Sequence, residues 1–393
     1  MVNIYINEKW YDVSTFVNKH PGGSVISYYE NQDATQVFQE FHRRSNIAGK
    51  LLTSLPTITD NFKFPSSVIV DDFQRWANLL ESNGYFKPSI QHVCYRVFEL
   101  IVIFSLASLV LYIGWTLSSM ILYGIFSGRC GWVQHEAGHR SFTGIIKYDN
   151  IIQKITIGFG LLTSANMWNS MHNKHHATTQ KVGYDIDLDT MPLVAFNKVF
   201  LKSNKVYKLL RYQAYTFLPI TSGFFVMLFW IFYLHPRKII RDRDYTQAIM
   251  TLSGHIIRSF IIKSITGWSL LSSYFMLMGT MYIAGIYLFG HFSLSHTFTP
   301  VVEKNENPNW IQYSLEHTVD INTKNPLVSW IMGYLNCQCV HHLFPQMPQF
   351  RQPEVSKQLA IFAKKWNIKY SQLGYFECWK RMLSNLDQVG KNY

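Results

Sequence analysis

Seven histidines fall into three clusters whose spacing suits metal chemistry. His135 and His139 stand four apart in WVQHEAGHRSF. His172, His175 and His176 follow in WNSMHNKHHATT, and Gln338, His341 and His342 repeat the same offsets in LNCQCVHHLFP. On a helix, residues three and four apart share a face, so each cluster aims its imidazoles at one point. Burying that many imidazoles together is costly unless a metal receives them. HEAGH also matches the H-E-x-x-H zinc-peptidase pattern, with Glu136 as general base. A zinc peptidase would use one further ligand and leave the second and third clusters without a task. Imidazole suits iron as well as zinc or copper, and seven imidazoles could hold two metals. There is no thiolate cluster and no bridging Glu-x-x-His pair, which argues against iron–sulfur and ferritin-like centres. Two irons in a histidine cage would favour oxygen chemistry. Glu136 then becomes an acceptor that orients a ligand imidazole.

A second pair of histidines has a different setting. In WYDVSTFVNKHPGGSVISYYENQDATQVFQEFHRRS, His20 opens a Pro-Gly-Gly turn and His42 follows 22 residues later. Histidines from opposing helix pairs can bind one haem iron on both faces, which suits electron transfer rather than oxygen binding.

The elements that must position these groups are largely apolar. Of 393 residues, 48% are hydrophobic, 16% aromatic and only 15% charged, a balance that points to a membrane protein or a very apolar globular one. Residues 1–57 carry five Lys/Arg and five Asp/Glu, so the net charge of +12 lies entirely in the remainder, beside the apolar segments. Basic residues in that position mark a cytosolic face. No basic run interleaved with aromatics suggests nucleic-acid binding. The five scattered cysteines form no disulfide framework, and the start MVNIYINEKW lacks a signal peptide, so a cytosolic N-terminal segment is expected.

The chain divides into a polar unit at 1–56, a linker and amphipathic helix at 57–90, and a membrane domain at 91–393. VFELIVIFSLASLVLYIGWTLSSMILYGIF is too long for one span of about 20 residues and reads as a hairpin turning near Gly114-Trp115. A second hairpin is expected at about 248–264 and 268–290. Residues 214–234, followed by the basic HPRKIIRDRD, read as a re-entrant or interfacial helix. The expected fold is thus mainly α: about four transmembrane helices with interfacial helices and a cytosolic cap that carries the histidine boxes, plus a small N-terminal unit.

H-x-x-x-H, H-x-x-H-H and Q-x-x-H-H, in this order around apolar hairpins, resemble the membrane fatty acid desaturase family. Gln338 in the third box and the fused N-terminal unit are similar to its front-end branch, which inserts a cis double bond on the carboxyl side of an existing one; the resemblance implies carbon 6 or carbon 5 as its position. YDIDLDTMPL and HHLFPQMPQF add to the resemblance, which covers nearly the whole chain. The N-terminal unit resembles cytochrome b5, which implies a small α+β haem domain, without the helix and strand that usually precede VNIYINEKWYDV, and with Arg43 and Arg44 at its haem edge.

The resemblance implies iron ligation by His135, His139, His172, His175, His176, His341 and His342, with Gln338 as a weak ligand or one acting through another. It implies His296 as an eighth ligand, with His291 and His317 structural. Asp185, Asp187 and Asp189 are either a solvated loop or acceptors for box histidines. It further implies two non-haem irons, haem b on His20 and His42, and electrons from NADH through cytochrome b5 reductase. The substrate would be an acyl-CoA or a phospholipid-linked acyl chain, dehydrogenated with O2 at two adjacent methylenes in the endoplasmic reticulum membrane. Alternatives that share the boxes are a sphingoid-base Δ8 desaturase and a lipid hydroxylase. The remoter alternatives are the zinc protease and a membrane-tethered electron carrier.

Overall fold

The computed structural model describes residues 1–59, 62–65, 67–188, 190–201 and 208–391. Strands β1 (Asn3–Ile6) and β2 (Lys9–Asp12) form an antiparallel hairpin with Ile4 opposite Tyr11. Helices α1 (Thr35–His42) and α2 (Asn46–Ser54) close over it, and Ser45 caps α2 by accepting from the Ala48 N–H. Ile4, Ile6, Tyr11, Val13, Ala34 and Leu52 make the core of this unit. Its boundary lies beyond residue 56. Strand β3 (Thr57–Ile58) pairs with β2 at Trp10, and the Phe64 ring packs 5.2 Å from that of Tyr5. Part of the expected linker therefore completes the sheet, because β2 would otherwise expose an unpaired edge.

Helix α3 (Val68–Ser82) buries Phe73, Ala77 and Leu80, spaced to form one stripe. The Phe73 ring stacks 5.4 Å from Phe344, so the amphipathic helix is pinned to the metal-bearing end of the molecule.

Helices α4 (Ile90–Tyr112) and α5 (Thr116–Gly138) form the expected hairpin. They turn at Gly114, whose φ of +89° an L-residue would adopt only with strain. Glu99, the one charge in that apolar stretch, is buried against Arg129 at 2.8 Å and Arg96 at 3.5 Å. Helices α6 (Ile146–Ile155) and α7 (Ala165–Ala177) follow. A continuous helical run, α8 (Lys208–Asp242), precedes the second expected hairpin, α9 (Tyr245–Thr266) and α10 (Leu270–Ser293).

Four of these helices (α4, α8, α9 and α10) are long and apolar enough to cross a membrane. Helix α5 is outside that set because Arg129 and its Gly and Ser residues lower its apolarity, yet it packs along α10. A Cβ added at Gly128 would stand 2.0 Å from the Tyr287 ring. Helix α8 packs against α10. Leu218 near its start approaches Gly290, and Trp230, twelve residues on, packs against the neighbouring Phe289. Between them, Gly223 lies against Tyr282 and Ile286, and Ser222 and Met227 lie against Gly285. Wide helical turns run through Phe217–Val226, where Pro219 has no N–H to give.

Beyond α10 the chain builds a cap of short elements. These are α11 (Trp310–Glu316), β4 (Asp320–Ile321), α12 (Pro326–Ile331), α13 (Gln338–Leu343), α14 (Gln352–Lys365), β5 (Gln372–Leu373) and α15 (Tyr375–Lys391). Strands β4 and β5 pair in parallel, and Met382 and Leu386 of α15 join Leu294 and Val319 in a core beneath them.

Candidate metal centre

The three histidine clusters sit on three short helical stretches that converge at one end of the bundle. His135 lies in the last turn of α5 and His139 just past it. His172, His175 and His176 lie on α7, and Gln338, His341 and His342 on the six-residue α13. His296 follows the end of α10. The side chains form two adjoining sets. One nitrogen from each of His135, His139, His172, His176 and His341 lies within 4.8 Å of the others, and the same holds for His175, His296 and His342. The His176 and His342 rings, one from each set, stack 4.1 Å apart. The Gln338 amide lies in the smaller set, 2.8 Å from His296 Nε2 and 3.1 Å from His342 Nε2.

The donor set fits two metal ions. His135 Nε2, His176 Nδ1, His296 Nδ1 and both ring nitrogens of His341 are buried without a hydrogen-bond partner. Orphaned buried nitrogens are rare unless an unseen group satisfies them. Burial, and then the neighbouring imidazoles, push His172, His176, His341 and His342 well below their ordinary values. Burial and His175 do the same for His296. Neutral imidazole is the form that binds metal.

Surrounding side chains aim the rings. The buried Asp185 carboxylate faces His175 Nδ1 at 3.0 Å, while the exposed Asp187 stands 3.4 Å away. Burial opposes charge on His175, but Asp185 and then Asp187 outweigh it and raise the imidazole to about 9. Asp189 lies outside the described residues. Thr179 donates to the His175 carbonyl at 2.9 Å, leaving its oxygen to accept from His342 Nδ1 at 3.0 Å. The Gln349 amide lies 2.9 Å from His135 Nδ1, and its backbone N–H donates to Glu136. Glu136 therefore does not take a ligand imidazole directly, as the sequence suggested. Its other oxygen faces His92 at 3.1 Å, and it acts on His135 through Gln349.

The clusters gave no sign of Thr179, Gln349 or His92, although HHATT and HHLFPQMPQF contain the first two. His291 is outside both sets, bonded to Tyr375 Oη at 2.9 Å, and His317 Nδ1 meets the Pro300 carbonyl. Trp168 stacks 4.2 Å from His172. Trp132 is buried against Tyr287, and Trp115 is exposed.

His20 and His42 face each other with ring centroids 6.2 Å apart. Each Nδ1 meets a backbone carbonyl, Gly23 at 2.9 Å and Phe38 at 2.8 Å, which frees both Nε2 atoms for a shared iron. A Cβ at Gly22 would strike His20 Cε1 at 2.7 Å, so the HPGG turn cradles that ring. The cavity between them, about 460 Å³, fits a planar cofactor held by two imidazoles.

The haem unit docks directly on the metal centre. Tyr29 Oη donates to the Ala177 carbonyl at 2.7 Å, and the Phe41 ring lies edge-on to His176 at 6.0 Å. Arg43 pairs with Glu40 and Glu81, and Arg44 with the carbonyls of Phe86 and Gln346. Both arginines, expected at an open edge, are thus committed to the joint with the rest of the chain.

Comparison with known proteins agrees with this geometry. The fatty acid desaturase family model matches residues 109–374, and the cytochrome b5-like haem/steroid binding domain model matches residues 2–72. An acyl-lipid (8-3)-desaturase of Rebecca salina is 37% identical over 98% of this chain and 91% of its own length. One of the same name from Thraustochytrium is 37% identical over 98% of this chain and 92% of its own. The Delta(6)-fatty-acid desaturase fat-3 of Caenorhabditis elegans is 26% identical over 98% of this chain and 96% of its own.

Proposed function

Because the chain belongs to the fatty acid desaturase family, with a cytochrome b5-like domain fused in front, we propose that His135, His139, His172, His176 and His341 hold one iron. His175, His296 and His342 would hold a second, with Gln338 beside it. The protein is a membrane-bound front-end desaturase that acts on an acyl chain with O2. When bound, the diiron pair supplies the oxidant for unactivated C–H bonds, which no side chain could break by acid–base chemistry. The observation that carries this reading is the pair of adjoining histidine sets, eight imidazoles of which four (His135, His176, His296 and His341) have buried ring nitrogens without a partner.

The protein's own residues have defined tasks in this account. Asp185, Thr179 and Gln349 hold the rings of His175, His342 and His135 so that the far nitrogen of each faces its metal. His135 binds through Nε2 only if its Nδ1 carries the proton, which places the Gln349 amide oxygen toward that nitrogen. Burial of the cage excludes water from the reacting carbons.

Three finer points belong to the same proposal. The domains divide as a haem unit beginning at residue 1, a connecting helix, and the desaturase from about residue 91. The membrane is the endoplasmic reticulum with the histidine cap cytosolic, and a cytochrome b5 reductase supplies electrons from NADH. The substrate is lipid-linked, and the new double bond enters at carbon 5, three carbons on the carboxyl side of one at carbon 8. This is our reading of the (8-3) borne by two relatives.

Yeast expressing the chain should be fed a triene whose first double bond is at carbon 8, and separately an acid whose first is at carbon 9. The expected product is a tetraene with a new bond at carbon 5, located in the lipid fraction. A new bond at carbon 6 from the second precursor overturns the position. Absence of any new unsaturation from haem- and iron-loaded protein overturns the reaction.

A further inference from the structure

We infer that the haem seat is shared between the two domains, and that Arg140 of the desaturase domain binds a haem propionate there. This rests on the reading of His20 and His42 as haem ligands. The cavity that holds those two rings is not closed by the N-terminal unit alone. Its far wall is built by His139, Arg140, Asn169, Asn173 and Ala177, from the end of α5 and the face of α7. Haem carries two carboxylates, and anions placed beside a partly buried cavity require cationic or N–H partners. No Asp or Glu lines this cavity, and its arginines are Arg44 and Arg140.

Arg44, on the N-terminal side of the cavity, gives Nη2 to the carbonyls of Phe86 and Gln346, and its Nε is buried without a partner, so the two arginines face the cavity from both domains. Arg140 donates Nη1 to the Ala137 carbonyl at 3.1 Å, and Gln153 Oε1 stands 3.5 Å from the same nitrogen. No described residue bonds its Nε or Nη2, which leaves one edge of a planar fork for a carboxylate. Its placement follows from the backbone. Arg140 adopts φ +61°, a left-handed turn that ends the box-one helix and redirects the chain beside His139. Asn173, one turn from His176 on α7, offers an amide in the same wall.

The consequence is that haem binding and haem potential report on the desaturase domain. An unpaired propionate stabilises the oxidised, more positive iron; a guanidinium beside it offsets that charge, so removing the cation lowers the potential. The haem would also sit against the ring of His139, within the same chain that receives its electrons.

The test uses the full-length, haem-loaded chain in detergent and two readouts that do not involve turnover. In Arg140→Gln, haem loss to apomyoglobin should quicken by roughly tenfold, as for a lost charge-assisted hydrogen bond. The haem midpoint potential should move in the negative direction, and Arg140→Lys should recover most of that shift. Asn173→Asp, which places a carboxylate in the same wall, should lower the potential as well, and serves if Arg140→Gln does not fold. Unchanged potential and unchanged haem loss in a folded Arg140→Gln chain, or in Asn173→Asp where Arg140→Gln does not fold, would overturn the shared seat. Failure of the wild-type chain to bind haem at all, with no Soret band, would instead overturn the reading of His20 and His42.

Discussion

Asp185 offers the sharpest perturbation of the metal centre short of removing a ligand. Its buried carboxylate meets His175 Nδ1 at 3.0 Å and also accepts the backbone N–H groups of Gln180 at 2.7 Å and Asp187 at 3.0 Å. Asp185→Asn keeps the size but turns an NH2 toward one of these donors. If the amide nitrogen faces His175, Nδ1 must accept, the ring proton moves to Nε2, and the atom aimed at the metal is blocked. If the oxygen faces His175 instead, a backbone N–H loses its acceptor inside the protein. Loss of such an orienting partner lowers metal affinity by roughly 10–100-fold. At 1.4 kcal/mol per factor of ten, that is about 1.4–2.8 kcal/mol. The assay is competition with a calibrated iron chelator, followed by non-haem iron per chain, with Asp187→Asn in parallel. Asp187 is exposed and further from the ring, so its substitution should change affinity several-fold less. Equal affinities in wild type and Asp185→Asn would refute the idea that this carboxylate sets the His175 ring.

Other expectations follow from the same structure. His296→Ala should lower bound non-haem iron by about one ion per chain, whereas His291→Ala, whose ring serves Tyr375 and the Tyr287 carbonyl, should leave iron content unchanged by metal analysis. Gly128→Leu should separate α5 from α10, since even a Cβ would overlap Tyr287, and cost about 1–3 kcal/mol, read as a lower melting temperature in detergent. Asp72 is held down to about 2 by hydrogen bonds from Lys365 and Trp366. Its contribution to docking α3 on α14 is present above its ordinary value of 3.8 and is lost as pH falls from there through 2. Hydrogen exchange in α3 should therefore quicken across that window, and Asp72→Asn should remove the dependence.

The cage was legible in the sequence because helical spacing alone places His172, His175 and His176, or His341 and His342, on common faces. The ladder at β3 was not, since the residues after 56 read as a linker while Trp10 supplies the partner from far upstream. Thr179 and Gln349 were equally hidden, because their roles depend on His342 and His135 arriving from other helices. Glu136 shows the same limit. Its place beside two ligand histidines suggested direct contact, but on α5 its carboxylate turns to His92 and the Gln349 N–H.

Metal analysis of the purified full-length chain bears most directly on the two adjoining histidine sets. The account predicts two non-haem irons and one haem per chain. Stoichiometric zinc, or a single non-haem metal that persists under iron-replete expression, would contradict it.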